Sequence, residues 1–279
     1  MKVFQLDGLQ KQLALLAGPI FMETLLVMTL GAVDTIMLSQ HSDNSVAAVG
    51  MVNQLVSMIF LVFEVTALGT SILCSQYIGA KLSDKVTQTV GVSLVLNATF
   101  GLIISCLMFF FAGNILHLMG LRPKLMPDGL SYMRIVGSFA FAQAISMAAS
   151  ASLRSANKAV YPMMVTLVVN IVNVIGNYTL IFGKFGMPAL GVEGAAISTA
   201  ACRTIAMFAL LYLLKTKHVR HFPRALFRPF PFGELKKLLH IGVPSAGEQM
   251  SYSLSMVVIT YFINMISNEA LVLSSFFSF

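Results

Sequence analysis

The chain has 279 residues, of which 57% are hydrophobic and only 10% are charged, and its formal net charge is +7. A soluble domain of this size usually has about 25% charged residues. The composition therefore excludes an ordinary soluble domain and is typical of an integral membrane protein. The cysteines Cys74, Cys106 and Cys202 are dispersed in apolar segments, a pattern that gives neither a disulfide framework nor a metal-ligand spacing.

Seven apolar segments are long enough to cross a bilayer, which takes about 20 helical residues. They lie near 13–38, 47–78, 89–112, 130–150, 160–183, 192–214 and 243–266. The fold class that follows is an all-α integral membrane protein, a polytopic helical bundle. Trp is absent, so the interfacial aromatic belt would have to come from tyrosines near predicted helix ends, namely Tyr77, Tyr132 and Tyr178.

Basic residues are concentrated in alternate loops. The loops after the first, third and fifth segments contain only Arg122, Lys124 and Lys184. The loops after the second, fourth and sixth segments contain Lys81, Lys85, Arg154, Lys158, Lys215, Lys217, Arg220, Arg224, Arg228, Lys236 and Lys237. The positive-inside rule then predicts a multi-pass protein of the plasma (inner) membrane with a cytoplasmic N-terminus. The net charge is explained by this topology, and no soluble basic domain is left to bind nucleic acid.

The basic stretch 215–240 mixes cationic and apolar residues, as in "VRHFPRALFRPFPF". It is predicted to lie at the cytoplasmic surface, either against anionic membrane lipid or as a solvated linker. It divides the chain into three parts: a six-helix transmembrane lobe at 1–214, this interlobe loop at 215–240, and the first helix of a second lobe at 241–279.

Polar residues inside the apolar segments form stripes, although a charge at the bilayer centre costs about 2.5–3.5 kcal/mol on insertion scales. Glu23 and Asp34 on the first segment are eleven residues apart, about three helical turns. The other two stripes are Asn53, Ser57 and Glu64 on the second segment and Asn170, Asn173 and Asn177 on the fifth. Each stripe occupies one helix face, which favours a shared polar pathway.

Helix direction and depth predict which polar groups meet. The residues expected together in the outer half of the bundle are Asp34, Asn173, Asn177 and Thr199, with Glu23 and Glu64 closer to the middle or the cytoplasmic side. Structural alternatives stay open for each group. Asp34 as an interfacial anchor, the asparagines as interhelical hydrogen-bond donors, and both glutamates as neutral acids are compatible with the pattern. Arg203 is either a structural partner or an inner-end anchor.

A short repeat links the first and seventh segments. Pro19 and Glu23 in "GPIFME" have the same spacing as Pro244 and Glu248 in "VPSAGE". Both pairs come early in a predicted cytoplasm-to-outside helix, and a second six-helix unit is expected to begin near residue 240. Pro19 is predicted to act as a hinge, since proline removes a backbone hydrogen bond from a helix.

At these residues the chain resembles the N-terminal half of a multidrug and toxic compound extrusion (MATE) transporter. The matching stretches, which run in the family's order over 13–266, are "LAGPIFMETLL", "AVDTIMLS", "ALGTSILCSQYIGAKLSDK", "SLRSANKAVYPM", "NIVNVIGNYTLIFGKFGMPALGVEGAAIST" and "IGVPSAGEQM". The resemblance implies twelve helices in two six-helix lobes. It also implies export of organic, often cationic, compounds and drugs in exchange for sodium ions or protons.

The resemblance implies roles for individual residues. The ion-binding and coupling site would comprise Asp34, Asn173, Asn177 and Thr199. The substrate pathway would include Glu23, Asn53, Glu64, Asn170 and Glu248. No catalytic residue, resident metal or cofactor is implied, because the coupling ion is itself transported.

Two departures from the family pattern matter. Some members have Asp where Asn177 stands, which leaves Asp34 as the one evident acid of the ion site. The chain also covers only the first lobe and helix seven, so an inactive remnant, a half-transporter that needs a separate second lobe, and a homo-oligomer are alternatives. A lipid-linked oligosaccharide flippase of the same superfamily is another, although few basic residues lie within the helices. A cytoplasmic N-terminus disfavours a seven-helix receptor.

Overall fold

The computed structural model describes residues 8–40, 42–219 and 231–245 and the single positions 247, 251 and 255, with side chains from residue 17 onward. Within these residues the chain is helical and has no strand. The main helices, numbered in chain order, are α1 Gly8–Ser39, α2 Asp43–Gly79, α3 Ser83–Phe110, α4 Ala112–Leu118, α5 Met126–Ser138, α6 Ala140–Ser155, α7 Val160–Phe182 and α8 Val192–Lys217. A 3-10 helix at Pro123–Leu125 precedes α5, and a helix at 232–245, here α9, follows α8.

Five of the described helices are long and apolar enough to cross a membrane, namely α1 from Ala17, α2, α3, α7 and α8, and the bent pair formed by α5 and α6 makes a sixth. The segments predicted at 13–38, 47–78, 160–183 and 192–214 are therefore confirmed as α1, α2, α7 and α8. The segment at 89–112 corresponds to α3, which begins earlier, at Ser83. Most of the seventh predicted segment, 243–266, lies outside the described residues.

The prediction of one continuous helix over 130–150 is wrong. The chain breaks between α5 and α6 with a 45° bend. Ser105 of α3 accepts a hydrogen bond from the Phe141 backbone N–H at 3.0 Å, which satisfies a donor at the first turn of α6. Gly101 permits this close approach, because a Cβ there would lie 2.7 Å from the Phe141 Cα. The break thus depends on a neighbouring helix, and the apolar local sequence does not reveal it.

Helix α6 lies at the centre of the lobe, against α2, α3 and α8. Small side chains let these backbones approach closely. Its fully buried alanines are Ala140, Ala142, Ala144, Ala148, Ala149 and Ala151. Buried hydroxyl contacts fix α2 against α3, with Thr70 and Ser93 2.6 Å apart and Thr66 donating to Asn97 Oδ1 at 2.9 Å.

Glycines set the close packing of α7 against α8. Gly183 ends α7 in the left-handed conformation, with φ +65°, where other residues would be strained. A Cβ on Gly194 would lie 2.5 Å from the Leu180 carbonyl oxygen, and one on Gly176 would collide with the Ser198 hydroxyl. This contact places the asparagines of α7 beside the start of α8.

Helix α1 lies at the edge of the lobe and packs chiefly against α7. Its large exposed apolar residues are Phe21, Met22, Leu25, Val27, Met28 and Ile36. Such a face suits lipid or another apolar protein surface. Pro19 lies within α1, which is continuous from Gly8 to Ser39, so its role as a hinge stays a prediction.

Helix α9 packs on the end of α2. Leu238 is fully buried there, and a Cβ on Gly69 of α2 would lie 2.5 Å from the Leu238 carbonyl oxygen. Residues 232–240 are thus part of a packed helix rather than of a surface loop. The boundary predicted at 240–241 falls inside α9.

Candidate functional site

Three of the predicted ion-site residues meet between α1 and α7. Asn177 donates from Nδ2 to Asp34 Oδ1 at 2.6 Å and to Asn173 Oδ1 at 3.0 Å. Both asparagines are buried, and Asp34 is half-buried. The carboxylate therefore faces a neutral amide donor across the helix interface, deep within apolar surroundings.

Helix α8 closes the site from a second side. Ser198 donates from its hydroxyl to the Asn173 backbone carbonyl at 3.2 Å, which holds the start of α8 against α7. Thr199 is the next residue on α8, and it lies near Tyr132 of α5. Thr199 makes no hydrogen bond with Asp34, Asn173 or Asn177 in the described part of the chain, so its place in the ion site stays a prediction.

Tyr132 is a member of this site that sequence reasoning missed. It was predicted to lie at the membrane interface, and that prediction is wrong, because only 5% of its surface is exposed. Its hydroxyl donates to Asn53 Oδ1 of α2 at 3.3 Å. The sequence did contain a signal of this burial. Met133 and Val136, which lie one and four positions after Tyr132 on α5, are apolar and have the spacing of a buried helix face.

Arg203 lies one turn after Thr199 on α8 and faces the same interior. Its guanidinium stacks over the Phe60 ring of α2, 5.1 Å from the ring centroid. This contact with another helix inside the lobe favours a structural role for Arg203 over an anchor at the inner end of α8.

Asn170 belongs to the same stripe of α7 but has another partner. It donates from Nδ2 to the Leu26 backbone carbonyl of α1 at 2.7 Å. This is an interhelical hydrogen bond of the kind that holds membrane helices together. Of the three asparagines, Asn170 bonds to the backbone of α1, Asn177 donates to the Asp34 carboxylate, and Asn173 accepts a hydrogen bond from Asn177.

The structure does not bring the other predicted pathway residues to the Asp34 site. Glu23 forms an ion pair with Arg154 at the end of α6, at 3.4 Å. Glu64 is exposed on α2, and Asn53 is also exposed although it accepts the Tyr132 hydrogen bond. Glu248 lies outside the described residues. An exposed polar face on α2 is compatible with a pathway beside this lobe, which stays a prediction.

A second acidic centre, also missed, lies where α9 meets the last turn of α2 and the first turn of α3. Glu234 is buried and accepts hydrogen bonds from the Tyr77 hydroxyl at 2.7 Å, from Lys85 at 3.1 Å and from Lys237 at 3.3 Å. Burial alone would raise the pKa of Glu234, but these three donors outweigh it and hold that pKa below its ordinary value. The hydrogen bonds to Tyr77 and Glu234 in turn raise the pKa of Lys237.

Residues 19–179, more than half of the chain, match the model of a family described as MatE. The uncharacterized transporter YisQ of Bacillus subtilis is 43% identical over 92% of this chain and 56% of its own length. The probable multidrug resistance protein NorM of Thermotoga maritima is 28% identical over 89% of this chain and 53% of its own length.

The fold also has counterparts among solved structures. The outward-facing conformation of a multidrug resistance MATE family transporter of the MOP superfamily superposes with a TM-score of 0.85 at 23% identity. That superposition covers 96% of this chain and 59% of the solved chain. The chain spans about half the length of the curated relatives it matches.

Proposed function

Because the chain belongs to the MatE family of transporters, we propose that it forms the first lobe of a cation-coupled antiporter. The exported substrates would be amphipathic, cationic organic compounds, and the coupling ion sodium or a proton. Similar proteins are described as multidrug resistance proteins, which supports drug-like substrates. The alternating loop charge supports a plasma membrane location with the N-terminus in the cytoplasm.

The observation that carries the proposal is the Asp34 carboxylate within a membrane-spanning helix, hydrogen-bonded to the neutral amide of Asn177. An acid in this position is a functional hypothesis by default. We assign the ion-binding role to Asp34, Asn173, Asn177 and Thr199. Binding of a cation neutralises the carboxylate and changes how α1 packs against α7. A difference in cation affinity between the two packings couples cation entry to substrate release.

A half-transporter is the second candidate, and the exposed surface of the lobe favours it. The apolar face of α1 and the stripe formed by Asn53, Ser57 and Glu64 on α2 are exposed in this chain. A second six-helix lobe, or a second copy of the chain, would cover these faces. The chain alone is then expected to be unstable or oligomeric and to export little.

One experiment tests both candidates. Proteoliposomes containing the chain alone, or the chain joined to the second lobe of a relative, are assayed for ethidium efflux under an imposed sodium or proton gradient. We expect the joined protein to export, and Asp34→Asn to reduce gradient-driven efflux at least about tenfold, because a fixed neutral side chain cannot exchange a cation. Asp43→Asn, an exposed acid at the start of α2, is the matched control.

Two outcomes would contradict these expectations. Undiminished gradient-driven efflux by Asp34→Asn would make that acid an interfacial anchor. Efflux by a monomeric preparation of the chain alone would remove the need for a second lobe.

A further inference from the structure

The start of the second lobe predicted from the sequence packs on the first lobe through helix α9. Leu238 of α9 is fully buried, and its carbonyl oxygen lies against Gly69 of α2. One turn further along α9, a Cβ on Gly242 would collide with the Val65 carbonyl oxygen of α2. The two helices therefore run antiparallel with their backbones in close approach, and we call this contact the α2–α9 seam.

The seam covers the second half of α2, while residues of the first half are exposed. Asn53 and Ser57 are exposed, and Met58 is exposed over 61% of its surface. In the part of the chain that the structure describes, the first lobe is thus covered where α2 meets α3 and open towards the other end of α2. A two-lobe transporter exposes its cleft to each side in turn, so contacts that close one end have to part when that end opens.

Polar contacts fasten the seam. Glu234 of α9, whose side chain is only 4% exposed, accepts hydrogen bonds from Tyr77 at the end of α2 and from Lys85 at the start of α3. Lys237 of α9 donates both to Glu234 and to the Tyr77 hydroxyl, each at 3.3 Å. The two lysine side chains are 46% and 56% exposed, so water can replace their partners when the seam parts. Such bonds suit a contact that forms and breaks.

The apolar part of the seam is small. Within 232–245, Leu238 is the one large apolar side chain that is fully buried. Phe232 and Val243 of the same helix are 71% and 58% exposed. Little apolar surface is therefore newly exposed when α9 moves away from α2.

We propose that the α2–α9 seam is a latch, fastened by Glu234, that holds the two lobes together at one end and parts in each transport cycle. The proposal rests on the proposed function, because such a latch acts only in a two-lobe transporter. The loop charges predict this end to be cytoplasmic, so the latched form would be the one open to the outside.

The first test locks the seam chemically in the joined protein. Tyr77→Cys and Lys237→Cys are combined in a background without native cysteines and bridged by a short, reducible bis-methanethiosulfonate reagent. Bridging should reduce gradient-driven ethidium efflux at least about tenfold, because the seam can no longer part, and reduction of the bridge should restore it. The matched control is Tyr77→Cys with Lys85→Cys, whose bridge lies within the first lobe and should leave efflux as in its own reduced sample.

The second test measures the distance across the seam by pulsed electron–electron resonance in nanodiscs. Spin labels are attached to cysteines at Ser83 of α3 and Lys236 of α9, which are both exposed. Wild type should show a short distance and a minor longer one. Glu234→Gln should raise the ratio of long to short at least about tenfold, because it removes the ionised acceptor of the latch.

Two further variants make the distance measurement specific. Tyr77→Phe removes only one hydroxyl of the latch and should shift the ratio in the same direction by a smaller factor, which also provides a second variant should Glu234→Gln fail to fold. Asp84→Asn changes an exposed acid of the first turn of α3 and should leave the ratio unchanged.

Undiminished efflux by the protein bridged between Tyr77→Cys and Lys237→Cys would overturn the proposal. One identical distance in wild type, Glu234→Gln and Tyr77→Phe would also overturn it, and the seam would then be a fixed junction. Absence of gradient-driven efflux by the unbridged joined wild type would instead contradict the proposed function, since the distance measurement does not depend on transport.

Discussion

The half-buried Asp34 and the buried Glu234, two acids at opposite ends of the lobe, differ in what surrounds them. Asp34, near the end of α1, accepts a hydrogen bond from the neutral amide of Asn177. Glu234, at the start of α9, accepts hydrogen bonds from a tyrosine and two lysines. Direct cationic donors favour the ionised form of Glu234. The hydrogen-bond donor to Asp34 is a neutral amide, and this is compatible with the cation-binding role proposed for that acid.

The two acids also differ in the packing of the helices that carry them. Helix α1 is largely exposed and packs chiefly against α7, so the Asp34 contact joins a peripheral helix to the lobe. The Glu234 cluster instead joins α9 to the last turn of α2 and the first turn of α3, beside the fully buried Leu238. We therefore expect a change of charge at Asp34 to alter the packing of α1 against α7, and a change of charge at Glu234 to alter the docking of α9.

The largest expected effect comes from giving the Asp34 site a second acid. Asn177→Asp places a carboxylate where Nδ2 now donates at 2.6 Å, so two like charges share one site and favour a bound cation. We expect Asp34-dependent sodium binding to appear, with affinity at least about tenfold above wild type. Radiolabelled sodium binding in nanodiscs measures it, with Asn44→Asp on the exposed start of α2 as control. An unchanged sodium affinity would mean that the charge at position 177 does not control cation binding at Asp34.

Much of this site was predictable from sequence, because helical periodicity alone places Asn173 and Asn177 on one face. Helix direction and depth then predicted that both asparagines lie near Asp34. Hydropathy predicted where the spanning helices are. The bend between α5 and α6 was not predictable, since it depends on Gly101 and Ser105 of another helix.

The missed residues share one cause, which is distance along the chain. Tyr77 and Glu234 are separated by 157 positions, and nothing local in "GELKKLLH" says that its glutamate is buried. Tyr132 and Arg203 come together only because α5 and α8 pack side by side. Periodicity indicates which face of a helix is buried but not which other helix covers it.

An intermediate effect is expected from a substitution at Glu234. The pKa of Glu234 is below its ordinary value of 4.5, so its ionised form stabilises docking of α9 above that pH, and the stabilisation is lost as pH falls through the lowered pKa. Glu234→Gln should weaken docking at neutral pH by about 1–2 kcal/mol and remove this acid-induced change. Hydrogen–deuterium exchange of the backbone amides of 232–245 measures docking, with exchange about tenfold faster in the variant.

The control for this variant is Lys236→Gln, an exposed residue of the same helix. Equal exchange rates in both variants would show that burial of Leu238, rather than the ionised cluster, holds α9. Efflux by the joined Glu234→Gln protein should retain its dependence on Asp34, because the two acids lie at opposite ends of the lobe.

The smallest expected effect distinguishes a structural role of the α7 asparagines from an ion-binding role. Asn170→Leu removes the hydrogen bond to the Leu26 carbonyl but keeps a side chain of similar size between α1 and α7. Such interhelical bonds contribute about 0.6 kcal/mol on average in membranes, so the melting temperature should fall only slightly. The sodium and pH dependence of ethidium exchange should stay as in wild type, whereas Asn173→Leu, which removes an amide beside the carboxylate, should alter both. A changed ion dependence in Asn170→Leu would place this asparagine on the ion route and extend the site one turn along α7.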